Sequence, residues 1–158
     1  MVALIEETIS KGKRKIRIEH GFDGQIEGHP AELQQVFTNI VKNAVEATSE
    51  GGTIRIFFGS PQEDERDGVL AYVADNGMGI PEQIKSKLFT PFVTTKEESG
   101  SGVGLWVSRS IVEKHKDSIR ISSGESGHLG TTVSILLPLN ANVRINAAES
   151  TSTAQGET

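Results

Sequence analysis

The strongest constraint on the fold is an amphipathic helical pattern between Pro30 and Ala47. Its apolar residues recur at the i, i+3, i+4 and i+7 spacing of one buried helix face. Pro30 suits the first helical position, and the segment EGG at 50–52 ends the run. A helix with one apolar face needs a second layer to cover it, so the pattern predicts a helix that packs on another element. The residues of the apolar stripe are Leu33, Val36, Phe37, Ile40, Ala44 and Ala47.

Strand patterns surround this helix. Apolar and polar residues alternate from Lys15 to His20, and the runs TIRIFF and GVLAYVAD flank a polar loop, which predicts a hairpin. The runs SIRISS and GTTVSILLPL predict two final strands. Shorter helices are predicted over 2–9 and 81–89. A longer one is predicted from about Gly104 to Lys114, with an inner face of Leu105, Ser108, Ile111 and Val112.

The order of these elements predicts the fold class. It reads β-α-β-β, then a loop, then α-β-β, which is typical of a two-layer α/β sandwich with helices on one face of a mixed sheet. The 158 residues suit one domain. From Asn140 onward the residues are small and polar, so we predict a folded domain over 1–139 and a disordered tail over 140–158.

Composition narrows the class of protein. The chain has no cysteine, which excludes disulfides and thiolate metal sites. Its formal net charge is −5 with both signs mixed along the chain, which argues against a nucleic-acid surface. The sequence has no apolar run of about 20 residues and its start lacks the shape of a signal peptide, so we expect a soluble, cytoplasmic chain.

Two asparagines, Asn39 and Asn43, lie four residues apart at one edge of the buried helix face. Asparagine is a mediocre helix former, so the pair needs a reason. One interpretation is that each amide caps neighbouring backbone groups. The other is that an amide oxygen at a cleft wall is a ligand for a hard metal such as magnesium, which is bound together with substrate phosphates.

Two glycine motifs follow. DNGMGI, Asp75 to Ile80, comes directly after a strand, and its glycines allow a tight turn with a carboxylate at the strand end. GSGVGL, Gly100 to Leu105, opens a helix, where free N–H groups and the positive end of the helix dipole favour phosphate. Taken alone, each motif is a weak signal, and a plain turn is the simpler explanation of the first.

The stretch between the motifs contains two phenylalanines and a lysine, and the last strand begins with two threonines. Lys96 is either a solvated loop charge or a residue that reaches a terminal phosphate. Thr131 and Thr132 are either ordinary strand residues or part of a site.

The order and spacing of all these motifs resemble the ATP-binding domain of sensor histidine kinases. N-x-x-x-N lies on a helix, D-x-G-x-G follows a strand, F-x-x-F comes next, G-x-G-x-G-L opens a helix and G-T-T precedes the last strand. The resemblance covers roughly residues 5–139. It implies the Bergerat ATP-binding fold, with a sheet of about five strands, and a superfamily that also holds the gyrase-type, chaperone and mismatch-repair ATPases.

The resemblance also implies site roles, with ATP and Mg²⁺ as cofactors. Asn43 would bind Mg²⁺, with Asn39 and Lys42 on the phosphate side, and Asp75 would accept a hydrogen bond from the adenine amine. The segment 81–104 would be a mobile lid over the nucleotide, anchored by Phe89 and Phe92. The other implied contacts are Gly77, Gly79, Ile80 and Thr131 at the adenine end and Lys96, Gly100, Gly102, Val103, Gly104 and Leu105 around the phosphates.

Asn39 distinguishes between subfamilies. Its position usually holds a glutamate in the related ATPases and serine kinases, where it activates water or a hydroxyl. A neutral histidine acceptor is already a nucleophile and needs such a base less, so asparagine favours phosphoryl transfer to histidine. The rival interpretations are another ATPase or serine kinase of the superfamily, or a non-catalytic nucleotide-binding module.

None of the four histidines has the sequence context of a phosphoacceptor. His115, near the end of the second long helix, is interpreted as structural, and Lys116 follows it where the family often has glycine. The resemblance therefore implies a monomeric catalytic half, whose partners are a separate dimerisation domain with the acceptor histidine and a downstream response regulator.

Overall fold

The computed structural model of the chain describes residues 14–21, 26, 28–60, 68–93, 102–124 and 129–138. The predicted helix over 2–9, the boundary at 139 and the tail over 140–158 lie outside these residues. The strands are β1 (Lys15–Gly21), β2 (Thr53–Gly59), β3 (Gly68–Asp75), β4 (Ser118–Ser123) and β5 (Thr131–Pro138). The helices are α1 (Pro30–Ala47), α2 (Glu82–Lys85) and α3 (Gly104–Lys114).

The five strands form one mixed sheet in the order β1-β2-β3-β5-β4. Strand β1 is parallel to β2, because α1 connects them as a crossover, and all other neighbours are antiparallel. The predicted hairpin of β2 and β3 is confirmed. Its register, with that of β5, places Asp75 beside Thr131 at one end of the sheet.

The core lies between the sheet and the two longer helices. The predicted stripe of α1 is buried up to Ala44, and it packs on alternating residues of the central strands, such as Ile54 and Ile56. Helix α3 contributes Ile111 and Val112, while Leu105 in its first turn is only half-buried. Each fully buried side chain of this size contributes about 1.5–3 kcal/mol. The predicted layer of helices against a mixed sheet is thereby confirmed.

Helix α2 is shorter than predicted. The helical pattern over 81–89 becomes one turn from Glu82 to Lys85, followed by turns in which Lys87 N–H donates to Ile84 O and Thr90 N–H donates to Lys87 O. No residue of α2 is buried. Since a short helix gains most of its stability from packing, this segment stays a series of tight turns.

The ends of α1 and α3 are joined by two histidines. His29 precedes Pro30 without a side-chain cap, and its N–H donates to His115 Nε2 at 3.1 Å. The other ring nitrogen, Nδ1, lies 2.8 Å from Ile111 O, which makes His115 a structural link as expected from its position. Lys116 adopts a left-handed φ of 61° and so takes the conformation that glycine usually provides after a helix.

Candidate functional site

The asparagine edge of α1 faces the first turn of α3. Asn39 Nδ2 donates to Gly104 O at 3.3 Å and to Ser108 Oγ at 3.4 Å. Ser108 is buried, so this contact ties the middle of α1 to the beginning of α3. The sequence motifs on these two segments, 65 residues apart, are therefore neighbours in space.

Asn43 lies one turn further along α1 and is half-buried. Lys42 beside it is exposed, and its Nζ lies 3.9 Å from the Glu46 carboxylate. An exposed i, i+4 pair of this kind contributes little to stability, and it leaves the lysine available at the surface next to Asn43.

The turn after β3 is held against the other end of the same helix. Met78 N–H donates to Ala47 O at 3.3 Å, and the carbonyl oxygen of Ala47 would lie only 2.2 Å from a β-carbon on Gly77. The glycine spacing predicts a tight turn here, and at Gly77 the absence of a β-carbon also lets the turn pack on the last turn of α1. Helix α1 therefore contacts the DNGMGI turn at its C-terminal end and α3 at Asn39, with Asn43 between the two contacts.

Asn76 fixes the same turn to the sheet. Its Oδ1 accepts the Thr53 N–H at 2.8 Å, and its own N–H donates to Thr53 O at 3.2 Å. Asn76 was not among the predicted site residues, although asparagine followed by glycine is a known turn signal. The effect is to hold the residue after Asp75 at the start of β2.

The carboxylate of Asp75 lies half-buried at the end of β3. Burial raises its pKa above the ordinary range, while hydrogen bonds from the backbone N–H groups of Gly77 and Thr131 act in the opposite direction. The bond from Gly77 measures 2.8 Å to Oδ1. A cavity of about 100 Å³ opens beside it, lined by Asp75 and by residues at the ends of β4 and β5, including Ser123, Gly130 and Thr131. Such a cavity offers a charged acceptor in a partly dry place.

Two phenylalanines behave differently from one another. The ring of Phe89 lies 5.2 Å from the Arg109 guanidinium of α3, in a cation–π contact. Phe92 is 80% exposed and has a left-handed φ of 67°, while its N–H donates to Gly102 O at 3.0 Å. The expected anchoring by both rings is therefore wrong for Phe92, because its left-handed backbone makes the contact and leaves the ring in solvent.

The glycine-rich segment is described only in its second half. Lys96 and Gly100 lie outside the described residues. Gly102 contacts the Phe92 backbone, and Val103 precedes α3 without a side-chain group to cap its first N–H groups. The beginning of α3, at Gly104 and Leu105, therefore has backbone N–H groups and the positive end of the helix dipole without a side-chain cap.

The chain matches a known protein family over most of its length. Residues 28–141 match the family described as histidine kinase-, DNA gyrase B- and HSP90-like ATPases. The chain belongs to this family. Membership confirms the predicted fold class, and together with the relatives described next it confirms the prediction of an ATP-binding catalytic domain of the histidine-kinase type.

Proteins similar to this chain are named as kinases, which agrees with that assignment. Sporulation kinase A of Bacillus subtilis is 40% identical over 122 residues, which are 77% of this chain and 19% of the relative. Sporulation kinase E of the same organism is 42% identical over 113 residues, or 72% of this chain and 14% of the relative. The catalytic domain of histidine kinase ThkA superposes with a TM-score of 0.73 at 33% identity, covering 86% of each chain. The chain thus spans less than a fifth of the length of each of the two sporulation kinases.

Among the helices of the described residues, none combines the length and the apolar character needed to cross a bilayer.

Proposed function

We propose that this ATPase-family chain binds Mg-ATP and transfers the γ-phosphoryl group to a histidine on a separate dimerisation domain. The observation that carries the proposal is the position of α1. Its C-terminal end contacts the turn after Asp75, Asn39 contacts the first turn of α3, and Asn43 lies between these contacts. One helix therefore spans from the turn after Asp75 to the beginning of α3, in the order that a base followed by phosphates requires.

At the base end, Asp75 accepts a hydrogen bond from the adenine amine. The cavity beside it supports this assignment, since a half-buried carboxylate gains most from a donor when water is partly excluded. Thr131 lies at the adjacent register position on β5. Gly77, Gly79 and Ile80 form the turn that closes this end.

At the phosphate end, Asn43 supplies an amide oxygen to Mg²⁺. In the part of the chain that the structure describes, no group of three or more histidine or acidic side chains could hold a metal ion. Magnesium typically takes one or two protein ligands and completes its shell with water and substrate phosphates, so a single amide oxygen from the chain is sufficient. The remaining phosphate contacts in this proposal are Asn39, Lys42, Lys96, Gly100, Gly102, Val103, Gly104 and Leu105.

Catalysis in this proposal rests on positioning and charge neutralisation. The chain's own groups hold the phosphates, while the bound metal would supply positive charge to the transferred group. Asparagine at position 39 donates its amide N–H to α3 and provides no general base, which suits a histidine acceptor that is already nucleophilic. The acceptor domain, a downstream response regulator, a cytoplasmic location and a domain that ends near residue 139 are parts of the same proposal.

Calorimetry of nucleotide binding tests the metal assignment. The chain should bind ATP with a Kd on the order of 10–100 µM in magnesium, or about −5.5 to −7 kcal/mol. Asn43→Ala should remove most of the gain that magnesium gives, because it deletes the amide oxygen. Gln34→Ala, an exposed amide deletion on the same helix, serves as the matched control and should behave as wild type. An unchanged magnesium dependence in Asn43→Ala would show that Asn43 is structural.

A further inference from the structure

A buried serine hydroxyl lies behind the Asp75 cavity. Ser123 is the last residue of β4 and is 6% exposed. Its Oγ lies 2.8 Å from Ile80 N and 2.8 Å from Gly130 O. Both partners are backbone groups from other segments, 43 and 7 residues away in sequence. One side chain thus joins the turn after β3 to the beginning of β5.

The roles in these two hydrogen bonds follow from chemistry. A backbone N–H can only donate and a carbonyl oxygen can only accept, so Ser123 Oγ accepts from Ile80 and donates its single proton to Gly130. The Thr131 hydroxyl lies 3.5 Å away, at the limit of a hydrogen bond. Alanine at 123 would leave the Ile80 N–H and the Gly130 carbonyl without this partner, because only a hydroxyl or a thiol can accept and donate through a single atom.

Ser123 and Gly130 line the cavity beside Asp75, and the Ser123 hydroxyl links Gly130 to the turn that follows Asp75. Gly130 immediately precedes Thr131, the residue that pairs with Asp75 in the sheet, and Ile80 ends the turn that begins after Asp75. Gly79 approaches from the same side with a left-handed φ of 73°, and a β-carbon there would be 3.0 Å from Ser123 Oγ. The Ser123 oxygen therefore bonds to both the turn and the residue that precedes β5.

We propose that Ser123 is a positioning residue for base recognition. It acts through the turn at Gly79 and Ile80 and through Gly130, which together fix the width of the cavity around the Asp75 carboxylate. This inference rests on the proposed adenine role of Asp75. Loss of the hydroxyl should loosen the contact of the base with Asp75 more than it affects the phosphate end, which is held by α1 and α3.

Competition binding of ATP and GTP against a fluorescent ATP analogue tests the proposal. In Ser123→Ala we expect the ATP affinity to fall about 5- to 20-fold, with a smaller loss for GTP, so that the ATP-over-GTP ratio falls. Ser118→Ala, the same change at the other end of β4, is the matched control and should keep the wild-type ratio. Partial unfolding lowers both affinities by the same factor, so the ratio separates positioning from mere loss of stability.

One further measurement and one further variant test the role of Ser123. Amide exchange at Ile80, followed by NMR, should become faster in Ser123→Ala because its acceptor is removed. If the alanine variant fails to fold, Ser123→Cys replaces the hydroxyl with a weaker thiol at similar volume, and the ratio should again fall. An unchanged ratio in a folded variant overturns the role of Ser123. Equal affinity of the wild-type chain for ATP and GTP instead overturns the adenine assignment on which this inference rests.

Discussion

Replacing Gly77 by alanine should destabilise the domain at one defined contact. A β-carbon at this position would lie 2.2 Å from Ala47 O and 2.9 Å from Asp75 Oδ1. The nearer atom belongs to the backbone at the end of α1, so no side-chain rotation can relieve the clash. An ordinary contact needs about 3.4 Å, and the turn must therefore move away from α1 by about 1.2 Å.

That movement has a cost that can be estimated from the structure. Overpacking of this kind costs about 1–3 kcal/mol, and the bond from Met78 N–H to Ala47 O, already 3.3 Å long, would be lost at about 0.5–1.5 kcal/mol. The sum is about 1.5–4.5 kcal/mol. At about 2–4 °C per kcal/mol for a chain of this size, it corresponds to a fall in Tm of about 3 to 18 °C.

Thermal unfolding without nucleotide, followed by circular dichroism, measures the effect. Gly104→Ala is the matched control for stability, since a β-carbon at Gly104 would meet Asn39 at an ordinary 3.7 Å and alanine favours a helix. That variant should unfold within about 2 °C of wild type. If Gly77→Ala instead melts at the wild-type temperature, the close packing of the turn on α1 is refuted.

Two aspartates give further predictions that depend on pH. Because burial raises the pKa of Asp75, ATP affinity should increase as the pH rises through that elevated value, and the chain should prefer ATP over GTP by about 30-fold or more. Asp75→Asn should flatten this pH dependence and narrow the preference in competition binding; a steep dependence that survives the substitution would remove Asp75 from the adenine site. Burial also raises the pKa of Asp117 from 3.8 to about 6, with His115 opposing the rise. The native state therefore holds the proton more tightly, and stability falls as the pH rises from about 4 through 6. Asp117→Asn should raise Tm above the wild-type value at pH 7.5 and leave it nearly unchanged at pH 4. If variant and wild type have equal Tm values at both pH values, the burial of this carboxylate is contradicted.

Local patterns predicted the elements of the fold that carry their own periodicity. The stripe from Leu33 to Ala44 is a long 3.6-residue repeat, and the alternating strands flank clear turns, so the positions of α1, α3 and the hairpin were predictable. Helix α2 was overestimated because its pattern gives no information on whether a partner surface buries it. The neighbouring positions of β3 and β5, and hence of Asp75 and Thr131, depend on pairing between distant segments and were not predictable from spacing alone.

The candidate site was likewise predictable where a residue carries a local signal, and not where its role depends on distant segments. Motifs predicted the chemical types, namely the asparagines, the carboxylate and the glycine-rich helix start, because those residues are unusual in their elements. Ser123 was missed because a serine at the end of a polar strand carries no local signal, and its partner Ile80 lies 43 residues away. The glycine spacing predicted a tight turn after β3, whereas the approach of Gly77 to Ala47 was not predicted, because it joins segments 30 residues apart.

Transfer of label in trans tests the central claim most directly. The chain is incubated with magnesium and γ-³²P-labelled ATP, either alone or with a separately produced dimerisation domain that carries the acceptor histidine. We expect acid-labile phosphate on the dimerisation domain only, lost when that histidine is replaced by glutamine, and no stoichiometric label on the chain alone. Acid-stable label, stable self-labelling of the chain, or release of phosphate without transfer would contradict the proposed histidine-kinase activity.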